Sequence, residues 1–237
     1  MKKLIKLFLS KFGFKISKQH ESHLQLDNPF EAISKFYNQV VADKIVFDVG
    51  VNQGQTIKKI LQFFPNSKIY GFEPSKICFE NALSNKFPSN VQIENAAIGN
   101  EKTILKFNEY SWSAMNSFLT RAFGQAKIID TYDVNVDTLD SFCKENFIEK
   151  INLLKSDTEG FELNVLKGAE GLLNSNKIHF ILIEMFFIEH FKGQAEVGEI
   201  FSFLKSKNFT LVKFYDFDIT KDGLISRGDA LFINTKF

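Results

Sequence analysis

Five acidic side chains, Asp48, Glu73, Asp157, Glu159 and Glu184, stand at or just beyond the ends of short apolar runs at residues 45–49, 68–72, 151–154 and 178–183. Runs of that length without a 3.6-residue period fit strands buried on both faces of a parallel sheet. In open α/β sheets a ligand sits beyond the carboxyl ends of the strands, so one rule gathers the five acids along one edge. Carboxylates grouped there can accept hydroxyl hydrogens, take a proton from a nucleophile or hold a hard cation.

The stretch that organises the rest is 45–54, IVFDVGVNQG. Gly50 and Gly54 permit a tight turn and leave no Cβ in the way of a nucleotide-like ligand, and Asn52 tolerates a left-handed backbone. The loop reads Asp48-x-Gly50-x-Asn52-x-Gly54, not the G-x-G-x-x-G of dinucleotide sites. The second run ends in Glu73-Pro74, about 20 residues on, where a strand-terminal carboxylate accepts both hydroxyls of a ribose. Strand, loop, helix, strand and acid in that order read as a site for an adenosyl ligand.

The elements that must position these groups alternate between strand and helix, which implies a doubly wound sheet. Asn28 caps a helix with Pro29 at its first position, Glu31 completes a capping box, and Phe30, Ile33, Phe36, Tyr37, Val40 and Val41 form its apolar face. Further helices are expected over 54–64, 75–85, 138–146, 161–174 and 196–207, the fourth continuous, with its two glycines in the final turn. Strands are expected at 91–94, at 103–107 paired with 131–136, and at 209–214 and 230–234. Residues 111–125 have no clean period and hold Trp112, the single tryptophan, which makes them a candidate substrate-facing segment, with Arg121 able to meet a phosphate or carboxylate. The competing reading is that Trp112, Met115 and Phe118 cover a sheet edge.

Four stretches, FDVGVNQGQT, GFEP, LKSDTEGFELNVLKGAEGLL and the LIE at 182–184, resemble the FkbM family of S-adenosylmethionine-dependent methyltransferases over roughly residues 44–190. Val51 replaces the family's usual Ala. The resemblance implies a Rossmann-like class I methyltransferase sheet of seven strands, mostly parallel with one antiparallel strand, in the order 3-2-1-4-5-7-6. It implies S-adenosyl-L-methionine as cofactor, with contacts from Asp48, Gly50, Asn52, Gly54, Thr56, Glu73 and Pro74, and with Asn95, Ala96 and Ala97 beside the adenine. It implies O-methylation of a hydroxyl on a sugar, a surface-polysaccharide precursor or another small molecule.

Methyl transfer from a sulfonium is an in-line displacement that asks mostly for alignment, and a hydroxyl nucleophile must also lose its proton. Asp157 and Glu159 lead as substrate-side residues, followed by Glu184 and by His190 in EMFFIEHF. One of the carboxylates could instead hold the methionine amino group. Asp157, Glu159 and Glu184 would offer Mg²⁺ oxygen ligands if they converge. The structural alternative is that Asp157 or Glu159 accepts backbone hydrogen bonds where the next helix begins. A nicotinamide-dependent reductase lacks its fingerprint here and has no Tyr-x-x-x-Lys pair; a non-catalytic, cofactor-binding partner subunit would have no need of the intact acids.

With 237 residues, 44% hydrophobic and 24% charged, the chain suits one soluble α/β domain at 44–237 preceded by a lead-in at 1–43. A net charge of +1 gives no case for a nucleic-acid partner. Residues 1–18 hold six lysines and no acid, leaving 23 basic against 28 acidic residues elsewhere. Ile5, Phe8, Leu9, Phe12 and Ile16 share one arc of a helical wheel, so this segment suits either peripheral contact with an anionic membrane or docking on the domain. It lacks the uninterrupted apolar core of a signal peptide. Cys78 and Cys143 are too few for a disulfide framework or zinc site and read as reduced thiols, hence a cytoplasmic protein at or near the inner membrane face; the sequence sets no oligomeric state.

Overall fold

The computed structural model describes residues 27–37 and 44–237. The expected helix over 1–18, and Val40 and Val41 of the lead-in helix, lie outside the described residues. Helix α1 (Pro29–Phe36) begins where expected, with Asn28 Oδ1 accepting from Phe30 N at 2.9 Å and Glu31 N at 3.3 Å. Glu31 does not close a capping box but pairs with Lys35 at 3.5 Å.

Strand β1 (Ile45–Val49) leads through the glycine loop into α2 (Gln55–Phe63), β2 (Lys68–Phe72), α3 (Lys76–Leu83) and β3 (Val91–Glu94). The chain continues as β4 (Ala97–Ile98), β5 (Thr103–Tyr110), β6 (Ile128–Asp137), α4 (Leu139–Glu145) and β7 (Ile151–Ser156). Then come α5 (Glu162–Lys167), α6 (Glu170–Asn174), β8 (Ile178–Phe186), α7 (Val197–Ser206), β9 (Phe209–Ile219) and β10 (Ile225–Asn234). The main sheet runs β3-β2-β1-β7-β8-β10-β9, with β10 antiparallel to both neighbours. This is the strand order implied by the family resemblance. The expected pairing of 103–107 with 131–136 is present as the longer β5–β6 pair of a second, three-stranded sheet, β4-β6-β5.

Side chains alternate faces along a strand, so a sheet covered on both sides needs apolar residues at nearly every position. Along β1, Val46 joins Ile57, Ile60, Ile69, Phe30 and Ile33 on one face, while Phe47 and Val49 join Tyr70, Phe72, Leu154 and Ile181 on the other. Phe30 and Ile33 thus fasten the lead-in helix to the core. Phe47 stacks on Tyr70 and Phe72 at 5.2 and 5.9 Å, and Phe142 from α4 meets all three edge-on. Truncating such a buried ring to Ala costs about 3–5 kcal/mol.

The single helix expected at 161–174 is instead two. A Cβ on Gly168 would lie 1.9 Å from the Gly99 carbonyl oxygen, so the chain passes Gly99 backbone against backbone and turns there. Asp140 accepts from Gly171 N and Leu172 N at 2.7 and 2.9 Å, giving α6 its own N-terminal partner. Among the described residues no helix is long and apolar enough to cross a membrane.

Candidate active site

Gly50 has a φ of 88°, and a Cβ on it would lie 1.8 Å from the Asp157 carbonyl oxygen. The loops after β1 and β7 therefore touch backbone to backbone, and Asp157 N donates to Val49 O at 3.0 Å. Asn52, at φ 49°, turns its N–H to Glu73 Oε2 at 2.6 Å, while Ser75 N donates to Glu73 Oε1 at 2.9 Å. Two backbone bonds thus fix the Glu73 carboxylate under the glycine loop, and each oxygen keeps a lone pair for a further donor. Burial pushes its pKa up to about 7, with Glu109 and Asp48 adding to the rise against those two bonds.

Glu73 lines a cavity of about 380 Å³ together with Gly50, Asn52, Pro74 and Ala97. Ile98, Phe107, Phe118 and Phe161 give it apolar walls, and Ser113, Ala114 and Asn116 bring the 111–125 segment over it. Ser113 Oγ reaches Asn52 Oδ1 at 3.5 Å. Trp112 points outward at 60% exposure, and Arg121 is held by the Phe123 carbonyl, the Met115 sulfur and the Phe191 ring. The segment covers the cavity, but the two residues singled out within it do not line it.

Several expected cofactor residues stand off this wall for identifiable reasons. Asp48 is wholly buried behind the loop, 3.6 Å from Lys155 Nζ, and burial pushes its pKa up to about 6. Gly54, at the start of α2, lies beneath the Phe87 ring. Thr56 lines a neighbouring cavity of about 330 Å³ with Asn28, Lys155, Asp157 and Asp229. Asn95 Nδ2 donates to the Glu73 and Pro74 carbonyls at 2.8 and 3.2 Å, so it braces the turn, and of the expected adenine neighbours Ala97 reaches the wall where Ala96 does not.

At the other end of the same cavity Asp157, Glu159 and Glu184 each bring a carboxylate oxygen to within 4.8 Å of the others. Glu159 sits in a tight turn with φ 52° beside Gly160 at 99°, and Glu184 lies within β8 opposite Asp229 of β10. His190 is not among them. It is buried, its Nε2 is 2.6 Å from Ser226 Oγ, and Phe186 and Phe123 pack against its ring. Burial, aided by Arg121 and Arg227, lowers its pKa to about 4. Its ring does not line the cavity.

Three further residues organise the acids. Lys155 is 5% exposed and holds Asp157 Oδ2 at 3.0 Å as well as Asp48. Burial disfavours its charge, but Asp157 and Asp48 outweigh that and raise its pKa. Arg227 Nη1 lies 3.0 Å from Glu184 Oε1 and 3.7 Å from Glu159 Oε1, with its Nε 2.7 Å from Asp218. Glu162 accepts from Thr158 N, Thr158 Oγ1 and Gly160 N at 2.8, 3.0 and 3.2 Å. Glu162 therefore fills the structural role at the head of α5 that was the alternative for Asp157 and Glu159. Lys155 is legible as a charge inside an apolar run, whereas Arg227 becomes recognisable only once β10 pairs with β8.

The three acids divide in their protonation. Burial works to raise the Asp157 pKa, but Lys155 and hydrogen bonding with Glu184 outweigh it and hold the group below the usual carboxylate range. Burial beside Asp157 drives Glu159 and Glu184 well above theirs. One fixed anion beside two carboxyls that hold their protons gives the cluster an acceptor and donors for a nearby hydroxyl.

The family model for the methyltransferase FkbM domain matches residues 48–211. The chain belongs to the FkbM methyltransferase family. It is an S-adenosylmethionine-dependent methyltransferase, and the FkbM match spans β1 to the start of β9. The 2-O-methyltransferase NoeI of Sinorhizobium fredii (strain NBRC 101917 / NGR234) is 26% identical over 220 residues, covering 85% of this chain and 86% of NoeI. Methyltransferase 1 of Beauveria bassiana (strain ARSEF 2860) is 28% identical over 188 residues, 71% of this chain and 73% of its own. Among solved structures, the METTL16 MTase domain superposes with a TM-score of 0.51 at 12% identity over 98% of this chain and 77% of that one, a likeness of fold.

Proposed function

We propose that this FkbM methyltransferase methylates a hydroxyl of a sugar, a surface-polysaccharide precursor or another small polyhydroxylated molecule. One observation carries the reading: a single cavity has Glu73 and the glycine loop at one end and the Asp157, Glu159 and Glu184 cluster at the other. S-adenosylmethionine, when bound, supplies the electrophilic methyl group of its sulfonium. Glu73 would accept the ribose hydroxyls through its remaining lone pairs, and Gly50 leaves the backbone open to close approach. The apolar walls exclude water, and the cluster of Asp157, Glu159 and Glu184 receives the proton that the acceptor hydroxyl gives up. A curated relative named as a 2-O-methyltransferase favours oxygen over nitrogen or carbon as the acceptor atom.

Calorimetry with S-adenosylhomocysteine and with NADH tests the donor half: binding of the first and not the second is expected. The reverse result would restore the reductase. Tritium transfer from labelled S-adenosylmethionine to a panel of glycosides, followed by methanolysis to locate the ether, tests the acceptor half. We also propose a cytoplasmic location with residues 1–18 against the inner membrane face, an idea that rests on their lysine-rich amphipathic spacing. Co-sedimentation of the full chain with phosphatidylglycerol but not phosphatidylcholine vesicles is the expected result; the chain staying in the supernatant of both removes it.

A further inference from the structure

We propose that Asp157, Glu159 and Glu184 bind one divalent cation of the Mg²⁺ or Mn²⁺ type, and that the acceptor is a hydroxyl with a second oxygen on the adjacent carbon. The proposal rests on the methyltransferase reading of the site and adds a metal and a narrower acceptor class to it.

The first observation is the donor set. One oxygen from each of the three carboxylates falls within 4.8 Å of the other two. Oxygens around an octahedral Mg²⁺ at about 2.1 Å are separated by about 3 Å when adjacent and about 4.2 Å when opposite, and of three ligands at most one pair can be opposite, so side-chain rotations that bring the oxygens closer by up to about 1.8 Å close the set. All-oxygen, mostly anionic ligands select hard cations over zinc or copper.

The second observation is independent of that clustering. Glu159 and Glu184 are 8% and 7% exposed, and the Oε2 atom of each has no hydrogen-bond partner among the described residues. Arg227 approaches the Oε1 atom of each, leaving the two Oε2 atoms without a donor. A buried carboxylate oxygen lacking a donor is a site awaiting a proton or a metal.

The third is the balance of charge. Asp157, Glu159, Glu184 and Asp229 line the cavity with Arg227, which is shared with Asp218, while Lys155 is divided between Asp157 and the buried Asp48. Two cations leave the acids in excess, and a divalent ion makes up the difference in one step. Its chemical effect suits the reaction: a metal-bound hydroxyl would lose its proton more readily, with Asp229 in the same cavity free to take it once the other three acids are ligands, and a metal with open positions beside three protein ligands would take two neighbouring substrate oxygens. Neighbouring ring hydroxyls of a sugar meet that requirement, whereas an isolated alcohol does not.

The test uses the full chain and Mn²⁺ as the probe. Titration followed by the electron paramagnetic resonance of free Mn²⁺ is expected to show one site per chain, competed by Mg²⁺. Glu159→Gln and Glu184→Gln should each weaken it about tenfold or more. Asp133→Asn, on an exposed strand pair with Lys106, should leave it unchanged. Should the glutamine variants fail to fold, wild type alone decides: Fe²⁺ with peroxide cuts backbone beside a bound metal, and cuts are expected next to residues 157–159 and 184. No Mn²⁺ bound at roughly 5 mM, a site that survives both substitutions together, or cuts elsewhere overturns the proposal. S-adenosylhomocysteine calorimetry on the same preparation separates the two ideas, because Mn²⁺ binding without S-adenosylhomocysteine binding sinks the donor reading, and the opposite result sinks the metal.

Discussion

Replacing Lys155 by Met leaves Asp48 buried beneath the glycine loop with no counter-charge. In the native chain Lys155 Nζ is 3.6 Å from Asp48 and 3.0 Å from Asp157, and Asp48 has no hydrogen-bond partner among the described residues. Even with that lysine present, burial lifts the Asp48 pKa to about 6 from its ordinary 3.8. A carboxyl whose folded pKa is raised holds its proton more tightly when folded, so its contribution is favourable below about pH 4 and is lost as pH climbs through 6. Removing Lys155 moves the upper limit of that loss higher still. Breaking a buried pair by deleting one partner costs about 3–5 kcal/mol, and the cost should be greatest at pH 8 and smaller at pH 5.5, where Asp48 accepts a proton. Urea unfolding followed by circular dichroism at both pH values measures it. Adding Asp48→Asn should recover a large part of the loss, since the uncompensated charge has gone. A variant within about 1 kcal/mol of wild type at pH 8, or a loss equal at both pH values, would refute the assignment of Lys155 as the neutralising group for Asp48.

Glu73→Gln keeps the size of the side chain but weakens its bonds to Asn52 N and Ser75 N and to any hydroxyl donor. S-adenosylhomocysteine affinity should drop about 10- to 100-fold by calorimetry with little change in melting temperature. Gly50→Ala places a methyl 1.8 Å from the Asp157 carbonyl at a φ of 88°. Loss of S-adenosylhomocysteine binding and of at least about 2 kcal/mol in urea unfolding is expected. His190, with its folded pKa lowered to about 4, contributes stability that is fully present above its ordinary pKa of 6.5 and is lost as pH falls toward 4. His190→Phe should flatten that acid-side decline in a melting-temperature series and leave the pH dependence of methyl transfer from 6 to 8 where it was; a shifted rate profile would return His190 to the chemistry.

Period and punctuation made the sheet legible. Apolar runs too short and too continuous for helices, each with a Gly or an acid at or just past its end, identified the four inner parallel strands and placed Glu73, Asp157 and Glu159 on one edge. What escaped depended on contacts between distant parts of the chain. Gly168 looks like an ordinary glycine late in a helix until Gly99 is found against it, and that contact divides the helix. The acid at the head of α5 is Glu162, three places beyond Glu159, and only the turn with positive φ at Glu159 and Gly160 shows which of the two folds back. Arg227 sits in ISRGDA, a stretch without any motif, and gains meaning from the antiparallel register that sets Asp229 opposite Glu184. His190 failed as a candidate because a histidine's proximity in sequence to an active strand says nothing about which way the following turn carries it.

The direct backbone contact between Gly50 and Asp157 has a kinetic corollary. With no side chain interposed, a shift of the first loop on donor binding would carry with it the turn that holds Asp157 and Glu159. A compulsory order, donor before acceptor and methylated product released before the spent donor, is the rate behaviour expected of such a joint. Product-inhibition patterns would display it as competition between the two forms of the donor alone.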